Sequence, residues 1–223
     1  MQKFATTTAV SAVLDIPAGR IQFIAADRSD ATVEVRPADA SKSRDVKAAE
    51  QVLVSYTDGV LRIAAPEAKS KVFGNSGAVE ITVQLPAGSR VEAKTATAEV
   101  RGVGRLGEVV LDSAHGTVKL DETSGARLTL QAGDLTIGRL TGPAHLATQK
   151  GDIAIAEATQ GAVELRTEHG NITIGAARGT SATLDAGTGY GRIHNTLSNT
   201  DGPTPALTVT ATTAYGDITA RSI

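Results

Sequence analysis

Carboxylates and amides recur directly after glycine in this chain: Asp134, Asp152, Asn171 and Asp217 follow Gly133, Gly151, Gly170 and Gly216. Glycine followed by an acidic residue could hold a cation or a phosphate if turns brought several copies together. The four histidines, His115, His145, His169 and His194, raise the question of zinc. Gly102-Val103-Gly104-Arg105-Leu106-Gly107 has the letters of a dinucleotide-binding loop, and Asp112, Ser113 and His115 are the residue types of a nucleophilic triad. Lys150 and Arg192, set beside Asp134 and Asp152, would be a basic group next to acidic cation ligands, as a polysaccharide lyase requires. Each possibility depends on which elements carry these residues.

Those elements are repeats. Gly133-Asp134-Leu135-Thr136-Ile137, Gly151-Asp152-Ile153-Ala154-Ile155 and Gly170-Asn171-Ile172-Thr173-Ile174 are spaced by 18 and 19 residues. A fixed internal period marks a repeat architecture. The positions seven and five residues before each glycine are apolar, as in Val109/Leu111, Ala144/Leu146 and Val163/Leu165. So are those two and four after it, as in Val118/Leu120, Ile153/Ile155 and Ile218/Ala220. Each unit is therefore two alternating strands joined at a glycine turn. One unit cannot bury its own apolar face, and stacked units make a continuous core. The period is too short for a propeller blade of about 40 residues and fits one coil of a solenoid with parallel pairing between coils. An earlier copy carries Ala98 in place of glycine, and Gly19-Arg20-Ile21-Gln22-Phe23 with Ala12 and Leu14 reads as a divergent coil. The last copies, Gly170 to Gly191 and Gly191 to Gly216, are spaced by 21 and 25 residues, the longer spacing holding a turn-rich insertion around Asn199–Pro203.

The first 90 residues are less regular. Short strands are expected over 11–36, a short helix or ordered loop over 43–51 behind a Ser43 cap, and a hairpin about Asp58-Gly59 between 52–56 and 60–63. A flexible loop is expected from Glu67 to Gly77, then a strongly alternating strand over 79–85. The expectation is an all-β chain: a single-stranded, β-helix-like β-solenoid with ~18–19-residue coils, forming one domain over 1–223. Within it, 1–90 is irregular and 91–223 is regular.

Bulk composition narrows the function classes. The 223 residues are 41% hydrophobic, 21% charged and only 3% aromatic, so aliphatic side chains must fill the core. A net charge of −2 gives no handle for nucleic acid. Without cysteine there are neither disulfides nor thiolate metal sites. No stretch approaches a membrane span and the N-terminus lacks the apolar core of a secretion signal, so the expected location is cytoplasmic unless a targeting segment was removed.

On coils, most of the candidate chemistry dissolves. The glycine hexad runs into another strand, Glu108-Val109-Val110-Leu111, and not into a helix that could meet a pyrophosphate. His115 and His169 share a repeat position three coils apart, about 14 Å at 4.8 Å per coil, too far to ligate one ion. His145 and His194 fall on outward positions, and Ser113 sits at a turn. No metal, cofactor or catalytic residue is assigned. Stacking does create two ladders. Taken in chain order, one is His115, Ala132, Lys150, His169, Tyr190, Tyr215 and the other Thr117, Asp134, Asp152, Asn171, Arg192, Asp217. The ligand-binding candidates are Lys150, Asp152, His169, Asn171, Tyr190 and Tyr215. Such a strip could bind an extended polymer, polysaccharide or peptide; the rival reading is that Asp and Asn after glycine satisfy turn backbone.

Ile16-Pro17-Ala18-Gly19-Arg20-Ile21, the strand Val79 to Leu85 with Pro86-Ala87-Gly88, and the serial Gly-Asp-Ile copies together resemble the bacterial putative-adhesin family of β-strand-repeat domains of unknown function. The resemblance covers nearly the whole chain. It implies a β-solenoid and carries over no catalytic or ligand-binding residues. The function expected is a non-enzymatic scaffold or interaction protein, binding through the exposed face or the terminal coil. The alternative is a carbohydrate-active β-helix enzyme or polysaccharide-binding module. Expected partners are a protein, a second copy meeting the solenoid ends, or an extended glycan, with no nucleic acid. The last coil in sequence, ending at Ile223, is expected to be the exposed end of the stack.

Overall fold

The computed structural model describes residues 1–66, 77–202 and 204–223. The loop expected over 67–77 lies outside the described residues except for Gly77. The elements in chain order begin with β1 (Gln2–Ala5), β2 (Ser11–Asp15), β3 (Ala18–Ala26), β4 (Asp30–Pro37), α1 (Ser43–Gln51), β5 (Leu53–Thr57), β6 (Val60–Ala64) and β7 (Val79–Pro86). Two long strands follow, β8 (Arg90–His115) and β9 (Val118–Ala132), each passing from one coil into the next. Then come β10 (Leu135–Leu140), β11 (Ala144–Lys150), β12 (Ile153–Ala158), β13 (Gly161–His169), β14 (Ile172–Ala176), β15 (Ala182–Tyr190), β16 (Ile193–Thr196), β17 (Leu207–Tyr215) and β18 (Ile218–Ser222). Among the described residues strand accounts for 68% and helix for 4%, in one open, solenoid-like sheet system.

The pairing is parallel and in register with the repeat. Leu111 pairs with Leu128, Leu128 with Leu146, and Leu146 with Leu165. On the other face Leu120 pairs with Ile137, Ile137 with Ile155, and Ile155 with Ile174. All of these side chains are buried in one continuous cluster with Phe23 and the aliphatic residues of the N-terminal strands. Because the interior coils have a neighbour on each side, their inward positions read as aliphatic ladders, each large side chain contributing about 1.5–3 kcal/mol.

Stacking order departs from chain order at both ends. β2 lies between β6 and β8, with Ala12 opposite Leu61 on one side and Val91 on the other. β3 lies between β7 and β8. The outermost N-terminal coil is therefore β6–β7, beyond the coil that the chain lays down first. At the far end β13 pairs with β17, and β17 with β15; β14 pairs with β18, and β18 with β16. The coil of Gly191 is thus outermost and the C-terminal coil of Gly216 is inserted beneath it. This corrects the expectation that the coil ending at Ile223 forms the end of the stack. The reason is apolar content. Leu207, Val209, Ala211, Ile218 and Ala220 of the inserted coil are fully buried, whereas its outer neighbour places Asn195, an exposed amide, where Leu120, Ile137, Ile155, Ile174 and Ala220 stand in the coils beneath.

The N-terminal end is covered. β5 runs antiparallel to β6 through a two-residue turn in which Asp58 and Gly59 have φ of 51° and 78°, as a type I′ hairpin demands. β4 runs antiparallel to β7, β1 antiparallel to β4, and α1 packs on β4 and β7. Ser43 is not the helix cap. Asp39 binds the Ser41 amide and hydroxyl at 2.9 and 2.6 Å, and the Lys42 carbonyl already accepts the Asp45 and Val46 amides. Lys42 therefore takes the cap position without a side-chain bond.

Candidate functional site: the corner ladders and the terminal coil

The corners are set by how closely coils stack. Gly133 has φ of 138°, and a Cβ there would lie 1.6 Å from the Gly116 carbonyl oxygen. The equivalent distance at Gly151 is 2.1 Å, to the Gly133 oxygen. Only glycine allows both the backbone conformation and the approach.

Two ladders hold the corners together. Three residues before the glycine, a hydroxyl donates to the glycine carbonyl of the neighbouring coil: the buried Thr148 to Gly133 at 3.2 Å, Thr167 to Gly151 at 3.0 Å and Thr213 to Gly170 at 3.0 Å, and the half-buried Thr188 to Gly216 at 3.0 Å. At the earlier corners Thr95 donates to Ser113 at 2.7 Å. Of these residues the sequence singles out only Ser113, as a turn residue. Their recurrence at one repeat position was the available signal.

One residue after the glycine, Asp134 Oδ1 accepts the Asp152 amide at 2.8 Å, and Asp152 Oδ1 accepts the Asn171 amide at 2.7 Å. Asn171 Oδ1 accepts the Asp217 amide at 2.9 Å, and Asp217 Oδ1 the Arg192 amide at 2.8 Å. The acidic ladder is therefore backbone chemistry: each of these side-chain oxygens is engaged by the next coil's amide and not by a cation site. The Arg192 amide holds the Asp217 carboxyl below its ordinary value, with the Arg192 guanidinium adding to it.

The structure reorders the strip. The ring ladder runs Lys150, His169, Tyr215, Tyr190, and the polar ladder Asp134, Asp152, Asn171, Asp217, Arg192. His169 stacks on Tyr215 with centroids 4.9 Å apart and planes 7° from parallel, and Tyr215 stacks on Tyr190 at 5.0 Å and 5°. Tyr215 is 50% and Tyr190 72% exposed. The rings cover one another's faces. What the stack offers to solvent is its edges, its hydroxyls and the outer face of Tyr190, where the stack stops.

Other candidates come apart. Arg192 pairs with Asp217 at 3.3 Å and stands four ladder steps from Asp134, so Lys150, Arg192, Asp134 and Asp152 do not converge as a lyase centre. Gly102 to Gly107 lies inside β8, where a register shift and a Gly104 φ of 79° mark a bulge. His145 Nδ1 lies 3.0 Å from Glu164 Oε2 on the neighbouring coil, and His115 and His169 are separated by Ala132 and Lys150 along the ladder. A shallow concavity of about 350 Å³, lined by Glu108, Ser124, Arg127 and His145 among others, includes none of the strip residues. Among the described residues no helix is long and apolar enough to cross a membrane.

A sequence profile of the family described as Toastrack DUF4097 matches residues 13–222. No curated protein matches the chain significantly. Among solved structures, a putative adhesin from Bacteroides fragilis superposes with a TM-score of 0.58 at 16% identity, over 98% of this chain and 95% of that one. This likeness shows a shared fold. A putative adhesin and a putative lipid binding protein, both from Parabacteroides distasonis, superpose less closely. Their TM-scores are 0.45 and 0.44 at 14% and 12% identity, over 100% and 98% of this chain and 95% of each of theirs.

Proposed function

The chain belongs to the Toastrack DUF4097 family, and from that premise we propose that it is a non-enzymatic interaction scaffold whose partner is a polypeptide. The partner docks where the His169–Tyr215–Tyr190 stack meets the terminal coil. The observation that carries this reading is the exposure of two stacked tyrosines at the end of a rigid ladder. Tyrosine gives large, amphipathic contact area with little side-chain entropy to lose, which is why it concentrates at protein interfaces. Lys150, Asp152 and Asn171 border the stack as the polar rim of the same surface.

A polysaccharide running along the strip is less well served. Sugars pack on ring faces, and here the faces of His169, Tyr215 and the inner side of Tyr190 are occupied by neighbouring rings. The lyase alternative loses its support with the separation of Arg192 from Asp134. The putative-adhesin name borne by the Bacteroides fragilis protein of this fold agrees with an interaction role.

The test is retention of the wild-type chain and a Tyr190→Ala/Tyr215→Ala variant on peptide and glycan arrays. Retention on peptides that the double variant loses is expected. Retention on glycans alone, or peptide retention indifferent to both tyrosines, would overturn the reading.

A further inference from the structure

Each interior corner shows what its outer edge receives. The Gly133 amide donates to the Lys150 carbonyl at 2.8 Å, Gly151 to His169 at 2.9 Å, Gly170 to Tyr215 at 2.9 Å and Gly216 to Tyr190 at 3.0 Å. Two residues on, Leu135 donates to the Asp152 carbonyl, Ile153 to Asn171, Ile172 to Asp217 and Ile218 to Arg192, each at 2.9 Å. The glycine carbonyl receives a threonine hydroxyl, and in the last three coils of the stack a planar ring stands one residue before the glycine and stacks on its neighbour. The same register in the terminal coil aims the Gly191 and Ile193 amides outward, where no further coil stands among the described residues. Around them lie the free face of Tyr190, Ile193 at 45% exposure and the Arg192 side chain at 90% exposure. A row of unpaired amides and carbonyls is a template for another strand, and lysine or proline on the edge is the usual block. β15 and β16 contain neither.

We propose that the terminal coil is the acceptor edge for a parallel β-strand of a partner polypeptide that carries this chain's own corner signature. In that strand a Ser or Thr three residues before a glycine donates to the Gly191 carbonyl. An aromatic residue directly before the glycine continues the stack on Tyr190. Carbonyls one residue before and one after the glycine accept the Gly191 and Ile193 amides. An acidic residue after the glycine faces Arg192 from outside, as Asp217 does from inside at 3.3 Å, and an aliphatic residue next in line covers Ile193. The edge continues an interface that the molecule already repeats internally, and strand addition of this kind draws affinity from main-chain bonds and specificity from alternate side chains. The opposite end offers no such corner, being covered by the antiparallel strands β5, β4 and β1 and by α1. This proposal rests on the polypeptide reading above and specifies how the partner is recognised.

The experiment titrates the full chain against a labelled synthetic peptide with the sequence of residues 207–222, which contains Thr213, Tyr215, Gly216, Asp217 and Ile218. The same residues in scrambled order are the control, and sedimentation reports the state of the chain alone. Two variants are used, Tyr190→Ala and Ile193→Pro, the second removing an outward amide; circular dichroism establishes that each is folded. The expected result is a monomeric chain that binds the peptide saturably, at least about tenfold more tightly than the scramble, with the preference lost in both variants. Equal binding of the scramble, binding indifferent to both variants, or no binding would overturn the proposal. So would a chain that dimerises through Ile193, since a second copy would then be the occupant. Array retention that needs Tyr215 while the coil peptide fails to bind would leave the polypeptide reading standing and remove only the strand addition.

Discussion

The Arg192 amide donates to Asp217 Oδ1 at 2.8 Å, although Asp217 comes 25 positions later in the chain. In the interior copies the donor follows its acceptor, as Asp152 follows Asp134 and Asn171 follows Asp152. The reversal records the crossover that tucks the C-terminal coil beneath the coil of Gly191. It also explains the one basic residue of the polar ladder: a terminal coil has no outer amide to receive, so Arg192 has none of the work that Asp134, Asp152, Asn171 and Asp217 perform.

Replacing Asp217 by Ala should therefore loosen the terminal coil and leave the rest intact. Hydrogen exchange is expected to accelerate at the Arg192 amide and along β16, with β10 and β12 unchanged. Asp217→Asn should behave as wild type, because Asn171 does the same work one coil inward at 2.9 Å. Equal acceleration in both variants would show that charge, and not the hydrogen bond, holds the coil.

Thr167→Val tests the hydroxyl ladder. The Thr167 side chain is 2% exposed and its hydroxyl meets the Gly151 carbonyl at 3.0 Å. The substitution keeps the shape and strips a buried carbonyl of its donor, so a loss of about 1 kcal/mol is expected in chemical denaturation. No loss would mean that the carbonyl is satisfied by its remaining contacts.

Much of this fold was legible because the solenoid repeats its physics. Leu128, Leu146 and Leu165 occupy one repeat position in the sequence and one ladder in the structure, and Asp58-Gly59 announced its hairpin. The order of the outer coils was not legible from period alone, since any coil can stack on any other in the same register. Composition held the clue. Arg192 in the polar ladder and Asn195 at an otherwise apolar position both mark the coil that meets solvent. The sequence placed the strip residues on neighbouring coils, but their spatial order and the face-to-face stacking of Tyr215 on Tyr190 need coordinates. The hydroxyl ladder was visible as a pattern, yet its acceptor, a glycine carbonyl on the neighbouring coil, is identified only by the register.

Gly133→Ala and Gly187→Ala separate the corner requirement from glycine content in general. At Gly133 a Cβ would meet the Gly116 oxygen at 1.6 Å and the φ is 138°; at Gly187 nothing lies within 4 Å. The first variant should lose at least ~2 kcal/mol, and the second should stay within about 0.5 kcal/mol of wild type. Similar losses in both would overturn the steric account of the corners.

Acid should release β1 before the solenoid. Asp30 joins β1 to the sheet by accepting from Arg28 at 2.6 Å and Lys3 at 2.9 Å. The Arg28 hydrogen bond first, and then that of Lys3, lowers its carboxyl from the ordinary 3.8 to about 2. A carboxyl depressed in the folded state contributes stability that is fully present above its unfolded value and is lost as pH falls through the folded one. The window is therefore from about 3.8 down to about 2. Over it, amide signals of Lys3 and Phe4 should broaden or shift with a midpoint near the lower limit, while those of β12 and β13 hold. In Asp30→Asn the pairing should already be weakened at neutral pH, and this acid step should vanish. A step that persists in Asp30→Asn would assign the release of β1 to a different group.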